Sequence, residues 1–277
     1  MSISSAALNR SLFFVIALTW LVPPAAAKDA AQGSYGRNPP DLSAYLARLV
    51  AAYPETIQGF DETHLLLKDG TRFALDDGRE NKSFDDLLDA PDIGDMFAFA
   101  YPAGAAAAQP PLDFDPGRVR VEGLFKALYG DCEKGDLTGR MARVDWVPSH
   151  GGKPVWVATA HGVDVALKAV SAELDALPAS FGKFLAPSAG TYNCRPIAGT
   201  NRMSMHSYGV AIDVNTDYSD YWRWTKPGAD GLYPWKNRIP EQIVAIFEKH
   251  GFIWGGRWYH YDTMHFEYRP DVLPVAD

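Results

Sequence analysis

The chain has 277 residues, 47% hydrophobic and 22% charged, proportions that exclude wholesale disorder and leave room for one large domain or two small ones. Acidic residues outnumber basic ones 34 to 26, a net charge of −8 with no basic block. That balance excludes nucleic acid and anionic membrane surfaces as natural partners, while a cation can still be held locally.

Residues 1–27 read as a leader. Arg10 precedes an apolar run from Leu12 to Val22, and Ala25-Ala26-Ala27 supplies the small-residue cleavage pattern of a secretory signal peptide. The run is shorter than the roughly 20 residues of a membrane span, so none is expected after cleavage. Cutting after Ala27 leaves 25 basic against 34 acidic residues, and a periplasmic or secreted location is expected. In an oxidising compartment Cys132 and Cys194 are the only possible intramolecular pair and predict a disulfide; a two-cysteine zinc site is the rival reading.

Residues 28–40 are polar and rich in Gly and Pro, a flexible lead-in. Asp41 to Tyr53 predicts a capped amphipathic helix, with Leu42, Tyr45, Leu46, Leu49 and Val50 on one stripe. His64 to Leu75 predicts two short strands turning at Asp69-Gly70. Ala103 to Pro116, small-residue and proline-rich, is either a linker or an ordered wrapping loop. It divides the mature chain into a region of unassigned role, 28–115, and a C-terminal domain, 116–277. Val163, Leu167, Val170, Leu174 and Leu177 predict a helix ending before Pro178, and Pro240 to His250 a second, with Gly251 just past its end. His250 in that last turn is a favourable partner for the helix dipole. The expected class is α+β: a small antiparallel sheet with flanking helices and an N-terminal α/β extension.

Two segments carry the chemistry. In the first, Ser204 to Asn215, alternation begins at Val210, with Val210, Ile212 and Val214 on one face and Ala211, Asp213 and Asn215 on the other. Gly209 allows a sharp bend before that strand, so His206 can fold back over the face bearing Asp213. The pair suits zinc, although taken alone a buried His–Asp hydrogen bond explains it as well. In the second, Trp254 to Tyr268, Met264, Phe266 and Tyr268 alternate with His265 and Glu267. His265 would be the third ligand, completing the three protein ligands and open position of a catalytic zinc. The aromatic run Tyr218, Tyr221, Trp222 and Trp224 either lines a groove or packs into the core. His64, His150 and His161 read as ordinary surface or loop residues.

The pattern S-x-H-x-x-G-x-A-x-D at Ser204 to Asp213, followed by D-x-x-H at Asp262 to His265, resembles the D-alanyl-D-alanine carboxypeptidase and L-alanyl-D-glutamate endopeptidase family of zinc peptidases. The stretches from Gly190 to Arg195 and from Gly251 to Gly256 are similar to it too, and the resemblance covers roughly residues 160–270. It implies a fold shared with lysostaphin-type peptidases and the hedgehog signalling domain. It also implies one zinc on His206, Asp213 and His265, and cleavage of peptidoglycan stem peptides. Arg195 matches the family position that stabilises the scissile carbonyl or holds a substrate carboxylate, and a guanidinium suits either role. The vancomycin-resistance branch of the family has a Glu two residues before a Trp-His pair, whereas Asp262 stands three before His265. That places the chain nearer the endopeptidase branch and leaves the bond cleaved open.

In such a site zinc activates a water and a nearby carboxylate takes its proton. Asp213 is committed as a ligand. Glu267 lies about 7 Å along the strand from His265, two residues at ~3.3 Å rise, which suits a partner orienting a ligand. Asp262 can curl back through Thr263-Met264, and the resemblance decides for it as general base. Ser204 and Tyr208 are expected to shape substrate binding, and His260 to support the ligands from outside. The alternative function is a non-catalytic, zinc-containing peptidoglycan-binding protein; oligomeric state is not set by the sequence.

Overall fold

The computed structural model describes residue 1 and residues 35–273; the expected leader, Met1 apart, lies outside the described residues. Helix α1, Leu42–Ala52, forms where the apolar stripe predicts it and buries Leu46 and Leu49 completely, but Asp41 makes no side-chain cap hydrogen bond. Three strands follow as an antiparallel meander, β1 (Ile57–Phe60), β2 (His64–Leu67) and β3 (Arg72–Ala74). The β2–β3 turn falls at the expected Asp69-Gly70: Asp69 Oδ1 accepts Thr71 N–H at 2.8 Å, and Gly70 takes φ +89°. Strand β1 escapes a reading by alternation, because Gly59 interrupts it and Phe60 points into solvent.

Helix α2, Phe84–Asp89, carries a complete capping box between Ser83 and Asp86. The seam after it is an ordered wrapping loop. Gly104 N–H donates to Glu248 (2.9 Å), Ala107 N–H to Glu241 (2.5 Å), and the Arg257 guanidinium to Ala105 O (2.7 Å). Those backbone groups, which a linker would leave to water, are paired with side chains from the far end of the chain. Residues 35–273 fall within one compact unit.

Helix α3 (Glu122–Tyr129) leads to an antiparallel pair, β4 (Met141–Val144) and β5 (Val155–Ala158), then α4 (Val163–Asp175) and the short α5 (Gly182–Leu185). Strand β6 (Ala211–Asp213), helix α6 (Glu241–Lys249) and strands β7 (Phe252–Trp254) and β8 (His265–Tyr268) complete the chain. The last sheet has the order β6-β8-β7, antiparallel throughout. Helix α6 packs on it and α4 packs on α6 and on the β4–β5 pair, which bears out the α+β expectation.

Period-2 geometry divides this sheet into two chemistries. Ile212 opposite Phe266 faces the core, both fully buried, and Phe266 stacks on Phe247 of α6 at 3.8 Å. Asp213 opposite His265, and Ala211 opposite Glu267, face the other way. His250, at the end of α6, bonds Glu173 of α4 at 2.8 Å, so its role is to tie two helices together. Cys132 and Cys194 are bonded, with Cα atoms 5.8 Å apart, fastening the turn after α3 to the loop that leads into Ser204. Among the described residues no helix is long and apolar enough to cross a membrane.

Candidate metal centre

The site begins with a short turn. Ser204 Oγ accepts His206 N–H at 3.3 Å and starts a 3-10 turn over Met205–Tyr208. Gly209 ends it at φ +69°, where a Cβ would stand 3.0–3.1 Å from Met141 and the Ala158 backbone. The chain therefore reverses sharply into β6 and lays the His206 ring over the face that carries Asp213.

Register completes the cluster. Asp213 and His265 are direct cross-strand partners, so their side chains emerge side by side. His206 Nε2 lies 3.2 Å and His265 Nδ1 3.0 Å from the same atom, Asp213 Oδ1. One ligand atom from each residue falls within 4.8 Å of the others. The ring nitrogens turned away from the cluster are also placed: His206 Nδ1 bonds Thr191 O, and His265 Nε2 bonds Glu267 Oε2 at 3.0 Å. A carbonyl and a carboxylate only accept, so each imidazole holds its N–H outward and can turn a lone pair inward. Two imidazole nitrogens and one carboxylate oxygen, largely buried and open on one side to a cavity, fit a divalent zinc.

The electrostatics agree with that geometry. Burial raises the Asp213 carboxyl, but the His206 and His265 rings outweigh it and hold it well below the usual range. Burial lowers His265, yet its bonds to Asp213 and Glu267 push it up to about 10. Burial also raises Glu267, but Arg120 and His265 bring it down to about 2. A metal cation would take over the task that protonated imidazole performs here, compensating Asp213 and Glu267.

Asp262 differs from both. It sits in a tight turn, His265 N–H donating to Asp262 O at 3.1 Å; its Oδ1, like Glu267 Oε1, is buried with no hydrogen-bond partner, but unlike Glu267 it makes no ion pair among the described residues. Burial and, after it, the Asp213 charge push its carboxyl up to about 6. Asp262, His206, Asp213, His265, Glu267, Ser204 and Arg195 all line one cavity of about 510 Å³. Arg195 is exposed at its edge, with Nη1 on the Pro196 carbonyl.

Two expected residues stand elsewhere. Tyr208 does not line this cavity; it is buried against Phe125 and Tyr129, in the wall of a second one. His260 does line the main cavity, but its Nδ1 bonds Asp115 at 2.9 Å and its ring stacks on Phe84, so it supports none of the three clustered residues directly. The aromatic run is divided. Tyr221 and Trp224 line the cavity, Trp222 packs edge-on to Tyr233 and His260, and Tyr218 packs on Phe184. His161 is half-buried between Tyr53 and Tyr129, away from the cavity.

Sequence reasoning missed Arg118, Arg120 and Asp115. Arg118 and Arg120 line the cavity, and the fully buried Asp115 holds both Arg118 (3.1 Å) and His260. The signal was available: Arg118-Val119-Arg120-Val121 alternates, placing two guanidiniums on one side of an extended segment.

Residues 198–268 match the D-alanyl-D-alanine carboxypeptidase family model. The matched segment contains the whole cluster and Asp262, and supports the resemblance carried by the two motifs: a peptidase of the peptidoglycan class. It leaves out Arg118, Arg120 and Arg195. No curated protein matches the chain.

Proposed function

We propose that the chain is a zinc-dependent peptidase that cleaves peptidoglycan stem peptides outside the cytoplasm, either as an L-Ala-D-Glu endopeptidase or as a D-Ala-D-Ala carboxypeptidase. The observation that carries this reading is the convergence of His206 Nε2 and His265 Nδ1 on Asp213, beside a buried carboxyl of Asp262 that has no partner for one oxygen, in a single cavity. His206, Asp213 and His265 would hold one zinc, which when bound supplies an acidified water and polarises the scissile carbonyl.

The protein's own groups do the remainder. The Asp262 carboxylate, on the cavity wall and in no ion pair among the described residues, accepts a proton and returns it to the leaving amine. Its raised proton affinity suits that exchange near neutral pH. Glu267 keeps the His265 ring oriented through Nε2, and Arg120 and Arg269, each 3.7 Å from Oε1, keep Glu267 ionised. Arg195 at the edge would meet a substrate carbonyl or carboxylate, while Tyr221 and Trp224 offer apolar walls. In this reading 1–27 is the export leader and 116–277 the peptidase domain. Residues 35–115 buttress it through the Phe84–His260 stack and the Asp115 bonds.

Incubating the purified protein with muropeptides, with and without a chelator, and resolving products by mass spectrometry tests the proposal and identifies the bond. Cleavage abolished by chelation and restored by zinc is expected. Zinc binding and sacculus binding without any product would instead establish the non-catalytic alternative.

A further inference from the structure

A second cavity, of about 210 Å³, lies on the other side of Arg118 and Arg120, which line both. Its walls combine apolar residues of the α2–α3 segment, Leu88, Pro91, Val121 and Phe125, with three guanidiniums and the Tyr208 phenol. Most of its charges are engaged. Arg118 is held by Asp115 and the His260 carbonyl, and Arg202 lies 3.3 Å from Asp89. Glu122 pairs with Lys126 and accepts Met203 N–H.

Arg202 Nε has that ion pair but no hydrogen bond, and Arg120 is held less closely still. Its side chain is only 10% exposed, it makes no hydrogen bond among the described residues, and its one ion pair is with Glu267 at 3.7 Å. Glu267 Oε1 accepts no hydrogen bond and has Arg120 and Arg269 equally at 3.7 Å, so Arg120 serves it as a counter-ion while the N–H donors of Arg120 stay unpaired. Tyr208 Oη is likewise buried without a partner. Two strong donors, one of them cationic, thus face a small cavity with apolar sides. A buried phenol without an acceptor is costly, and a planar guanidinium with a phenol on the same cavity wall is matched by a carboxylate. The apolar walls suit the methylenes of the side chain that would carry it.

We propose that this second cavity is a carboxylate subsite, in which Arg120 and Tyr208 bind the free carboxylate of an acidic residue in the bound peptide. The inference rests on the peptidase reading for its ligand and adds to it a preference among peptides.

The test compares stem-type peptides identical except that the acidic residue bears a carboxylate or a carboxamide, cut by the zinc-loaded protein. Loss of one charge-assisted contact should raise KM for the carboxamide about tenfold, with kcat within about threefold. That acid-to-amide ratio should fall towards one in Arg120→Gln, fall partly in Tyr208→Phe, and recover in Arg120→Lys. A peptide amidated only at its C-terminus separates the two sources of carboxylate. If that change alone raises KM, and does so through Arg120, the subsite takes the terminal group. Equal KM for all three peptides, or a ratio unaltered in Arg120→Gln and Tyr208→Phe, overturns the subsite and leaves the peptidase reading intact. If the wild type cuts none of them, the peptidase reading fails, and calorimetric titration with the same peptides still decides. About tenfold weaker binding of an amide supports the subsite, and equal binding overturns it.

Discussion

At the scale of single residues, the three carboxylates of the site have different tasks because their partners differ. Asp213 is shared by two imidazoles and Glu267 by one imidazole and, at 3.7 Å, two guanidiniums, whereas Asp262 makes no ion pair among the described residues. Asp262→Asn should therefore keep zinc and fold but lose at least about 100-fold in kcat, the usual scale for removing a general base. Glu267→Gln should lose less, since it loosens a ring without removing the proton acceptor. Near wild-type turnover in Asp262→Asn with an inactive Glu267→Gln would move the base to Glu267. Outside the cluster, burial raises the Asp115 carboxyl, but Arg118 and then His260 outweigh it, so its folded pKa lies below the ordinary 3.8. A depressed carboxyl contributes stability that is present above its unfolded pKa and disappears as pH falls through the folded value. Melting temperature should thus drop below about pH 4 more steeply in the wild type than in Asp115→Asn; parallel curves would show that Asp115 contributes nothing to the acid limb.

At the scale of elements, the sheet β6-β8-β7 and helix α6 hold the site from behind. Phe247 of α6 stacks on Phe266 and touches Trp146 and Phe252, with no exposure of its own. Truncating a buried phenylalanine in such packing costs about 3–5 kcal/mol, so Phe247→Ala should lower unfolding free energy by that amount in a denaturant titration. Phe266 neighbours His265 in β8, and a looser strand should also weaken zinc retention. The disulfide acts on the opposite wall. It closes a separation of 62 residues, worth about 4 kcal/mol by chain entropy, and Cys194 directly precedes Arg195. Reduction should lower the melting temperature and raise KM; two free thiols in the exported protein would show that the pair does not form there.

At the scale of the whole molecule, a metal held by this cluster would be coupled to the fold. A cation that binds only the folded cluster stabilises it by mass action, so zinc should raise the melting temperature and chelation reverse it. Purified mature protein should contain about one zinc, and His206→Ala or His265→Ala should lose it. Full occupancy in both variants, measured by elemental analysis, would exclude this cluster as the site. The same scale explains the reach of the N-terminal region. Phe84 of that region stacks on His260, and the loop after Ala103 is anchored on Glu241, Glu248 and Arg257. Removing residues 28–115 should therefore cost solubility as well as activity.

The sequence alone determined whatever depends on local period and spacing. Helices α1, α4 and α6, the β2–β3 turn and the two faces of β6 and β8 follow from apolar alternation and from glycine placement. The grouping of His206, Asp213 and His265 could be proposed because Gly209 must bend the chain between the first two. The tertiary structure decided what depends on encounters between distant segments, which no local pattern encodes. Register alone sets Asp213 against His265, and a slip of one residue would have turned one of them into the core. Arg118 and Arg120 reach the cavity from about 140 residues before His260 because the buried Asp115 binds His260, a pairing invisible in either stretch by itself. Tyr208 lies only two residues beyond His206, yet it faces the second cavity, because the 3-10 turn that directs His206 towards Asp213 and His265 sends its last residue to the opposite side.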